Sequence, residues 1–497
     1  MKQENILFKI KCEFFIKNLI NDLDKKKQLQ FIKGNKELLR LMKKNINDYK
    51  EYHYIFSTIE IEIKPSETYG KFINLDNKDE GEEEREKNYH IYFNDSKVET
   101  KKNKYYLDEN DNISKIKILI DYQIKSLFQI FWGCTGIESI NFKKFYRNNI
   151  ENMSDMFYDC KNIKEINFSS FNTDNVTDMS YMFNCCSSLK ELDLTSFNTS
   201  NVKELNGLFH ECTSLEKVNI STFDTSNVTD MGKIFDKCTS LKKINLSNLN
   251  TQNVDNMNKM FWKCISLKEI NVSNFIVNNV DKMCFMFSGC SALKSIDLST
   301  WNTESVKDMS YMFSECSSLE EINLSSFNTS YVNSMEGLFS GCTSLKEIDL
   351  SNFNTHNVDK TNEMFSKCIS LKQINLSNFI TNDVFNMSEM FLGCSSLKKL
   401  DLSSFNTEAV NEMTRMFSGC IALEELDIYN FNFTNVQTKE NIFHDCKSLK
   451  IVNLFHEQIP YLDKETDKNY LKELKFTSEN KCEIDDYYRF EPRLDGL

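Results

Sequence analysis

The chain has 497 residues, a net charge of −13 at neutral pH, and 40% hydrophobic and 27% charged residues. This negative charge argues against a general nucleic-acid binder, because affinity for phosphate backbones needs an excess of Lys and Arg. It also argues against docking on anionic membranes. Only 3 Pro and 13 Gly occur, so Asn, Ser, Thr and Asp must form most of the turns.

The first 112 residues differ in pattern from the rest of the chain. Residues 5–47 place apolar residues at helical spacing, and residues 53–63 alternate as a strand does. The acidic run at 77–87 is predicted to be a solvated loop. We therefore expect residues 1–112 to form a small α+β module, with helices first and short strands after them.

The N-terminal residues predict a cytoplasmic location. Lys9, Lys11, Glu13 and Lys17 interrupt each apolar run before it reaches the length of a secretory signal core. No stretch of the sequence approaches the roughly 18 apolar residues that a membrane span needs. We therefore expect neither a signal peptide nor a transmembrane segment.

From residue 113 to residue 456 the chain is a regular repeat, in which KIKILI at 115–120 is predicted to be a capping strand. Thirteen cysteines follow at steps of 26 residues, without an insertion or a deletion. They are Cys134, Cys160, Cys186, Cys212, Cys238, Cys264, Cys290, Cys316, Cys342, Cys368, Cys394, Cys420 and Cys446. A fixed period of this length is typical of a solenoid, in which stacked coils bury a continuous core.

Each repeat carries the same apolar positions around its cysteine. A Phe stands three residues before it, and LKELDLTSF (189–197) follows the pattern L-x-x-L-x-L-x-x-F of leucine-rich repeats. Leu192 and Leu194 are two residues apart, which puts both side chains on one face of a short strand. Residues 202–209 have helical spacing. We expect an α/β-type leucine-rich-repeat solenoid, with a parallel strand ladder on the concave side and short helical turns outside.

MSYMFSECSSLEEINLSSFNTS at 309–330 and its neighbours resemble the BspA-like leucine-rich-repeat proteins, which are often called surface proteins. The resemblance covers residues from about 124 to 456, two thirds of the chain. It implies a solenoid that binds host or matrix proteins and has no catalytic residues. It also makes a cell-surface location and an adhesin-like role the alternative to a cytoplasmic one.

The cysteine ladder has three interpretations: disulfides, a metal site or a buried core column. Zinc sites favour pairs spaced as C-x-x-C, which are absent, and an odd number of equivalent cysteines cannot pair completely. Cysteine is a small and commonly buried hydrophobic residue, and core Phe and Leu flank each member. We therefore expect a structural ladder of free cysteines, no metal and no cofactor. Reduced thiols also favour the cytosol.

Asn or Asp recurs seven residues after most of these cysteines, as in Asn167 and Asp193. Calcium takes oxygen ligands, but one residue per coil without a tight loop favours side-chain amides that hydrogen-bond along the sheet. A second Asn column, which includes Asn172 and Asn198, is predicted to bond to the backbone of the turn after the strand.

The candidate partner-binding residues are those that depart from the monotonous exposed positions. Interface energy comes mainly from large aromatic side chains and Arg, which the strand face mostly lacks. Tyr429, Ile451 and Phe455 are the exceptions in the last coils, and Trp262 occupies an otherwise polar position that we expect to be exposed on the outer rim. These four residues are the candidate site for a protein partner of unknown identity.

No Ser/His/Asp grouping, phosphate-binding loop or dinucleotide fingerprint occurs, so no enzyme is expected. The leading hypothesis is a non-catalytic protein–protein interaction scaffold whose solenoid surface binds a macromolecular partner. The alternative is an intracellular, F-box-like adaptor, whose N-terminal module recruits a second partner. Residues 457–497, which include Pro460 and the run DDYYRFEP, are predicted to form a cap and a tail.

Overall fold

The structure is a computed structural model of the chain. It describes residues 58–75, 88–100, 105–121, 124–461 and 475–477. The helices predicted over residues 5–47 and most of the predicted C-terminal tail lie outside these ranges.

The described part begins with a small antiparallel sheet that covers the end of the first coil. Its elements are β1 (Ile59–Pro65), β2 (Gly70–Lys71), β3 (Tyr89–Phe93), β4 (Tyr106–Leu107) and β5 (Ile116–Ile120). β3 pairs with β5, β5 pairs with β1, and β2 and β4 form a separate pair. On its other edge β1 pairs with β6 (Ile137–Lys144), which is the strand of the first coil.

The strand predicted over residues 115–120 is confirmed as β5, but β1 is the strand that contacts the solenoid. β6 has eight residues and bonds on two edges, to β1 in antiparallel fashion and in parallel to β7 (Glu165–Asn167) of the next coil. Because β6 already has β1 as its neighbour, β5 is left to pair with β1 and β3.

Each 26-residue repeat forms one coil, and successive coils stack in register. In β8 (Glu191–Asp193) the central Leu192 is buried between two exposed residues, as the alternation of a strand requires. β8 pairs in parallel with β9 (Lys217–Asn219), so that Leu192 faces Val218 26 positions later. A shift by one residue would turn every apolar strand residue outward. The period of the sequence therefore determines the register of the stack.

The strand ladder continues to the last coil with three interruptions, between β7 and β8, between β9 and β10, and between β11 and β12. Its remaining members are β10 (Ser295–Asp297), β11 (Glu321–Asn323), β12 (Lys399–Asp401), β13 (Glu425–Asp427), β14 (Ile451–Asn453) and β15 (Lys475–Thr477). A 3-10 helix, His456–Tyr461, follows β14. β15 pairs with β14 in parallel and covers the edge of the last coil.

The segment before each cysteine is a series of tight turns. In the coil of Cys186, the N–H groups of Met179, Tyr181 and Phe183 donate to carbonyl groups of the next coil, whereas a helix would bond them to carbonyls within its own turn. Two residues per coil take a left-handed backbone, as Tyr181 (φ 53°) and Cys185 (φ 59°) do. The described ranges contain no α-helix, so the helical turns of the predicted fold class are not confirmed, whereas the solenoid itself is.

The core consists of columns of equivalent residues. Phe183, three residues before Cys186, stacks on Phe209 of the next coil with ring centroids 5.7 Å apart and an interplanar angle of 7°. The cysteines and the aliphatic residues of the strands fill the space beside this aromatic column and are buried. Burial of one such Phe or Leu contributes about 1.5–3 kcal/mol, and only the stack of coils achieves that burial.

A column of buried threonines connects successive coils in the turn after the strand. Thr329 Oγ1 donates to the carbonyl of Asn354 at 2.8 Å and accepts the N–H of the same residue at 2.8 Å. The column comprises Thr173, Thr199, Thr225, Thr251, Thr303, Thr329, Thr355, Thr381 and Thr407. Val277 takes the equivalent position in one coil. The sequence indicates only turn formers here, so this connection between coils was missed.

Candidate partner-binding surfaces

Tyr429 and Phe455 lie in one column of the solenoid, nine residues after Cys420 and Cys446, where most coils carry Ser or Thr. Their rings meet edge to face, with centroids 6.0 Å apart and an interplanar angle of 73°. The N–H of Tyr429 donates to Oδ1 of Asp427 at 3.1 Å, which fixes the backbone directly after β13. Both side chains are half-buried and therefore keep one accessible side.

The two rings border a depression of about 510 Å³ at the last coils. The rest of its lining is mostly polar and includes Asn406, Glu408 and Asn432. Ile451, the third late-coil candidate, begins β14 and has 37% of its surface exposed, but it does not line the depression. The structure thus brings two of the three late-coil candidates together.

Trp262 lies in the coil of Cys264, six coils before that of Cys420. It is half-buried, because three lysines pack against its ring. The Nζ atoms of Lys259 and Lys263 are each 4.7 Å from the ring centroid, and that of Lys237 is 5.3 Å away. The four candidate residues therefore lie on two surfaces, with Trp262 in the tight turns before its cysteine and the others in or after the strands.

Two aromatic residues that sequence reasoning missed extend the surface of Trp262. The ring of Phe285 meets the indole edge to face at 6.3 Å, and Phe285 stacks on Tyr311 at 4.9 Å. Tyr311 Oη donates to Oε1 of Glu336 at 2.9 Å and lies 3.3 Å from Oε1 of Glu363. Burial, together with these two carboxylates, raises the pKa of Tyr311. A column-by-column comparison of the repeats would have found both, since each stands five residues before its cysteine.

A second depression, of about 490 Å³, lies on the strand face where the pairing between β11 and β12 is interrupted. Glu321, Glu347 and Asp349 line it together with partly buried isoleucines. The N–H of Ser351 donates to Oδ1 of Asp349 at 2.9 Å, and this bond lowers the pKa of that carboxyl. In the part of the chain that the structure describes, no group of three His, Cys, Asp or Glu side chains is arranged to hold a metal ion.

Among the described Asn and Asp residues of the strands, the predicted amide bond along the sheet is present between the last two coils, where Nδ2 of Asn453 donates to Oδ2 of Asp427 at 3.0 Å, but most of these side chains bond within their own coil. Oδ1 of Asn323 accepts the N–H of Ser325 at 3.0 Å, and the same bond recurs in most coils. The side chain closes the turn after its own strand because that N–H has no carbonyl partner of its own there. The second Asn column behaves as predicted, since Oδ1 of Asn328 accepts the N–H of Ser330 at 3.1 Å.

The cysteine ladder lies in the core, and none of its thirteen members forms a disulfide. From Cys160 onward each thiol donates to the carbonyl of the Phe 29 residues earlier, as Cys316 does to Phe287 at 3.2 Å. Burial raises the pKa of Cys316 to about 12, because the thiolate would lose its solvation. Such thiols are poor nucleophiles and poor metal ligands.

The repeats match the family described as "Mycoplasma protein of unknown function, DUF285" at residues 125–242, 193–296, 286–379 and 363–456. These overlapping matches together span residues 125–456, two thirds of the chain. The chain belongs to this family. Each match covers several coils, so DUF285 describes a run of the solenoid and not a single repeat.

The solved structures that match this DUF285 protein share little sequence with it. The Toll–Spatzle complex from Drosophila matches with 14% identity and a TM-score of 0.25, over 56% of this chain and 38% of that chain. Its glycosylated form matches with 13% identity and a TM-score of 0.24, over 64% of this chain and 43% of that chain. A TLR13–ssRNA13 complex matches with 13% identity and a TM-score of 0.18, over 67% of this chain and 77% of that chain. This chain thus spans less than half the length of the matched chain in each of the two Toll–Spatzle structures. Comparison with curated proteins gives no match.

The two surfaces of this DUF285 protein differ in chemistry. The late-coil surface is aromatic with a polar rim, and the surface around Trp262 is aromatic and basic. Across the described ranges, no helix combines the length and apolar content that a bilayer crossing requires.

Proposed function

We propose that this DUF285 protein is a non-catalytic scaffold that binds a protein partner through the surface of its solenoid. The observation that carries the proposal is the edge-to-face pair of Tyr429 and Phe455 beside the depression at the last coils. Aromatic side chains that are held beside a pocket supply much of the binding energy of protein interfaces. The depression gives a partner side chain a place to enter between coils that are held rigid by their stacking.

The repeat itself supports a binding role for this pair. Most coils carry Ser or Thr in the column of Tyr429 and Phe455, and those coils stack equally well. Packing of the solenoid therefore does not require aromatic residues there. Ile451 adds exposed apolar surface in the last coil, as the centre of an interface does.

The buried cysteines support the non-catalytic part of the proposal. The thiolate of cysteine is a strong nucleophile, but thirteen of the 17 cysteines of this chain belong to the ladder and are buried in the core. Cys368, like Cys316, has its pKa raised to about 12 by burial, so its thiolate is scarce at neutral pH. The bonds to Phe carbonyls give these thiols a structural use.

Photocrosslinking tests the proposed site. The full-length chain carries p-benzoylphenylalanine in place of Tyr429 and is irradiated in an extract of its source cells. Ser325, which stands in the same column, gives the matched control position. We expect a discrete adduct from position 429 that Phe455→Ala abolishes, and no such adduct from position 325. Equal adducts from both positions, or none from position 429, would refute the site.

The adaptor alternative is tested by removing residues 1–57. This deletion takes away the predicted helices but keeps β1, which covers the first coil through β6. An adaptor would lose one defined subset of its partners, whereas a scaffold that acts through the solenoid would keep the adduct at position 429.

The resemblance to BspA-like proteins also makes a surface adhesin a proposal to be tested. Intact source cells are labelled with a membrane-impermeant amine reagent, with a cytosolic protein as control. Labelling of this chain beside an unlabelled control would favour the adhesin. Absence of labelling on both would favour the cytoplasmic scaffold.

A further inference from the structure

We propose that a second surface, the Trp262 patch, binds a short acidic segment of a partner protein. The patch comprises Trp262, Lys237, Lys259, Lys263 and Phe285. It lies in the tight turns before the cysteines, apart from the depression at Tyr429. The inference requires the solenoid to be a binding scaffold, as proposed above, but it does not depend on the Tyr429 site.

Three ammonium groups converge on one indole in this patch. Lys259 and Lys263 come from the coil of Trp262 itself, and Lys237 comes from the coil before it. Lys259 also lies over the ring of Phe285, with its Nζ 5.3 Å from the centroid. Cation–π contacts offset part of the repulsion between these like charges, so the patch holds concentrated positive charge.

The positive charge of the patch is only partly neutralised. Lys237 forms an ion pair with Glu211. Among the described residues, no carboxylate oxygen lies within ion-pair distance of Lys259 or Lys263, whereas some exposed lysines elsewhere in the solenoid, such as Lys242, have such a partner. In a chain with a net charge of −13, two uncompensated ammonium groups on an aromatic surface are complementary to an anionic ligand.

Acidic residues limit the patch on both sides. Glu211 closes it before Lys237, and Glu336 and Glu363 close it beyond Tyr311. From the coil of Lys237 to that of Tyr311 is three steps, about 14 Å at the usual strand spacing, which matches roughly four residues of extended peptide. A longer polyanion such as a nucleic acid would meet these flanking carboxylates, and this favours a short acidic peptide segment.

The aromatic residues give the ligand a second kind of contact. Phe285 meets Trp262 edge to face and stacks on Tyr311, so the three rings form a continuous row. The aliphatic stems of a Glu or Asp segment, or a neighbouring apolar side chain, would pack on this row while the carboxylates bond to Lys259 and Lys263. Charge and apolar contact together would hold the segment in one register.

The test uses a fluorescein-labelled peptide of five glutamates with glycine at both ends, titrated with the full-length chain and followed by anisotropy. We expect saturable binding that weakens as salt rises. The double variant Lys259→Gln, Lys263→Gln should weaken binding by about tenfold or more, equivalent to about 1.4 kcal/mol. The matched control is Lys242→Gln, Lys268→Gln, which removes the same charge from the strand side of the coil of Trp262 and of the coil before it, and should bind as the wild type does.

Several results would overturn the inference. One is equal weakening in both double variants, which would mean that only net charge matters. A second is tighter binding of a single-stranded oligonucleotide of equal charge, which would indicate a general polyanion site. A third is self-association of the wild-type chain that the peptide disrupts, which would mean that a second copy of the chain occupies the patch.

The variant Tyr429→Ala separates this inference from the proposed function. It should leave peptide binding unchanged, because residue 429 is six coils away. If the peptide does not bind while the adduct at position 429 persists, only the Trp262 patch is refuted. Thermal unfolding of every variant checks that the solenoid is intact.

Discussion

The ring of Tyr311 lies across the α-carbon of Gly337 in the next coil. A β-carbon built on Gly337 would be only 2.2 Å from Cε1 of Tyr311, and Gly337 has a left-handed backbone with φ of 56°. Tyr181 and Gly207 repeat the relationship five coils earlier in the solenoid, with 2.3 Å between the equivalent atoms. A Tyr five residues before its cysteine is thus accommodated by a Gly at the same position of the following coil.

Gly337→Ala is predicted to destabilise the solenoid for two reasons. The left-handed backbone alone costs about 1–2 kcal/mol with a β-carbon, and the clash with the Tyr311 ring adds about 1–3 kcal/mol. Gly393→Ala is the matched control, because Gly393 has φ of 71° but its β-carbon would meet nothing closer than 3.7 Å. Urea unfolding followed by circular dichroism should show the larger loss for Gly337→Ala.

The double variant Tyr311→Ala, Gly337→Ala isolates the clash. Removing the ring should reduce the cost of Gly337→Ala to that of Gly393→Ala, since only the backbone contribution remains. Strict additivity of the two single substitutions would show that the ring and the α-carbon are not coupled.

The period of the sequence was sufficient to predict the coil, the strand register and the core columns. Cys, Phe and Leu recur every 26 residues, and only a stack of equivalent coils lets Leu192 face Val218. The tight turns were not predictable from spacing alone, because apolar residues three apart occur both in a helix and in consecutive turns bonded to the next coil. The left-handed positions also hold Lys, Glu and Tyr beside Gly, which hides the usual signal.

The binding surfaces could likewise be predicted where they depend on the period of the sequence, but not where they depend on the geometry of the turns. Tyr429 and Phe455 are 26 residues apart in one column, so the period alone makes them neighbours. The lysines around Trp262 stand at two other positions of the repeat, and their convergence depends on the geometry of the turns. A helix, as predicted, would have placed them differently around the indole.

Thr329→Val is predicted to loosen the contact between two coils. Valine has nearly the same shape but cannot bond to the N–H and carbonyl of Asn354, both of which Thr329 Oγ1 contacts at 2.8 Å. Leaving these groups without a partner costs about 1–3 kcal/mol. The reciprocal substitution Val277→Thr should stabilise the chain by about 1 kcal/mol. If Thr329→Val and Val277→Thr both moved the urea midpoint in the same direction, the hydroxyl would have no stabilising role.

Native thiol labelling should separate the ladder from the other described cysteines. Cys284 and Cys185 are half-buried, with pKa values raised by burial to about 11 and about 12. Reactivity depends on both access and thiolate fraction, so Cys284 should react with iodoacetamide first, then Cys185, and ladder members such as Cys316 only after unfolding in urea. Peptide mass mapping at timed intervals measures the order. Early alkylation of Cys316 in the native protein would show that the core opens locally.

The buried thiols also predict a loss of stability at alkaline pH. Burial raises the pKa values of Cys316 and Cys368 from 9.0 to about 12, so above pH 9 the unfolded chain releases protons that the folded chain retains. Unfolding is then favoured by rising pH, and the stability present below pH 9 is lost progressively between pH 9 and about pH 12. Each thiol contributes at most about 1.4 kcal/mol per pH unit.

The double variant Cys316→Ala, Cys368→Ala tests this linkage against the wild type in urea unfolding at pH 8, 9, 10 and 11. The variant should be less stable at pH 8, because each substitution leaves a small cavity and removes the bond to a Phe carbonyl. Its stability should then fall less steeply with pH, since two titrating groups are gone. Lys and Tyr residues titrate in both proteins and cancel in the comparison. Parallel pH profiles would mean that the thiols ionise in the folded state as readily as in the unfolded chain.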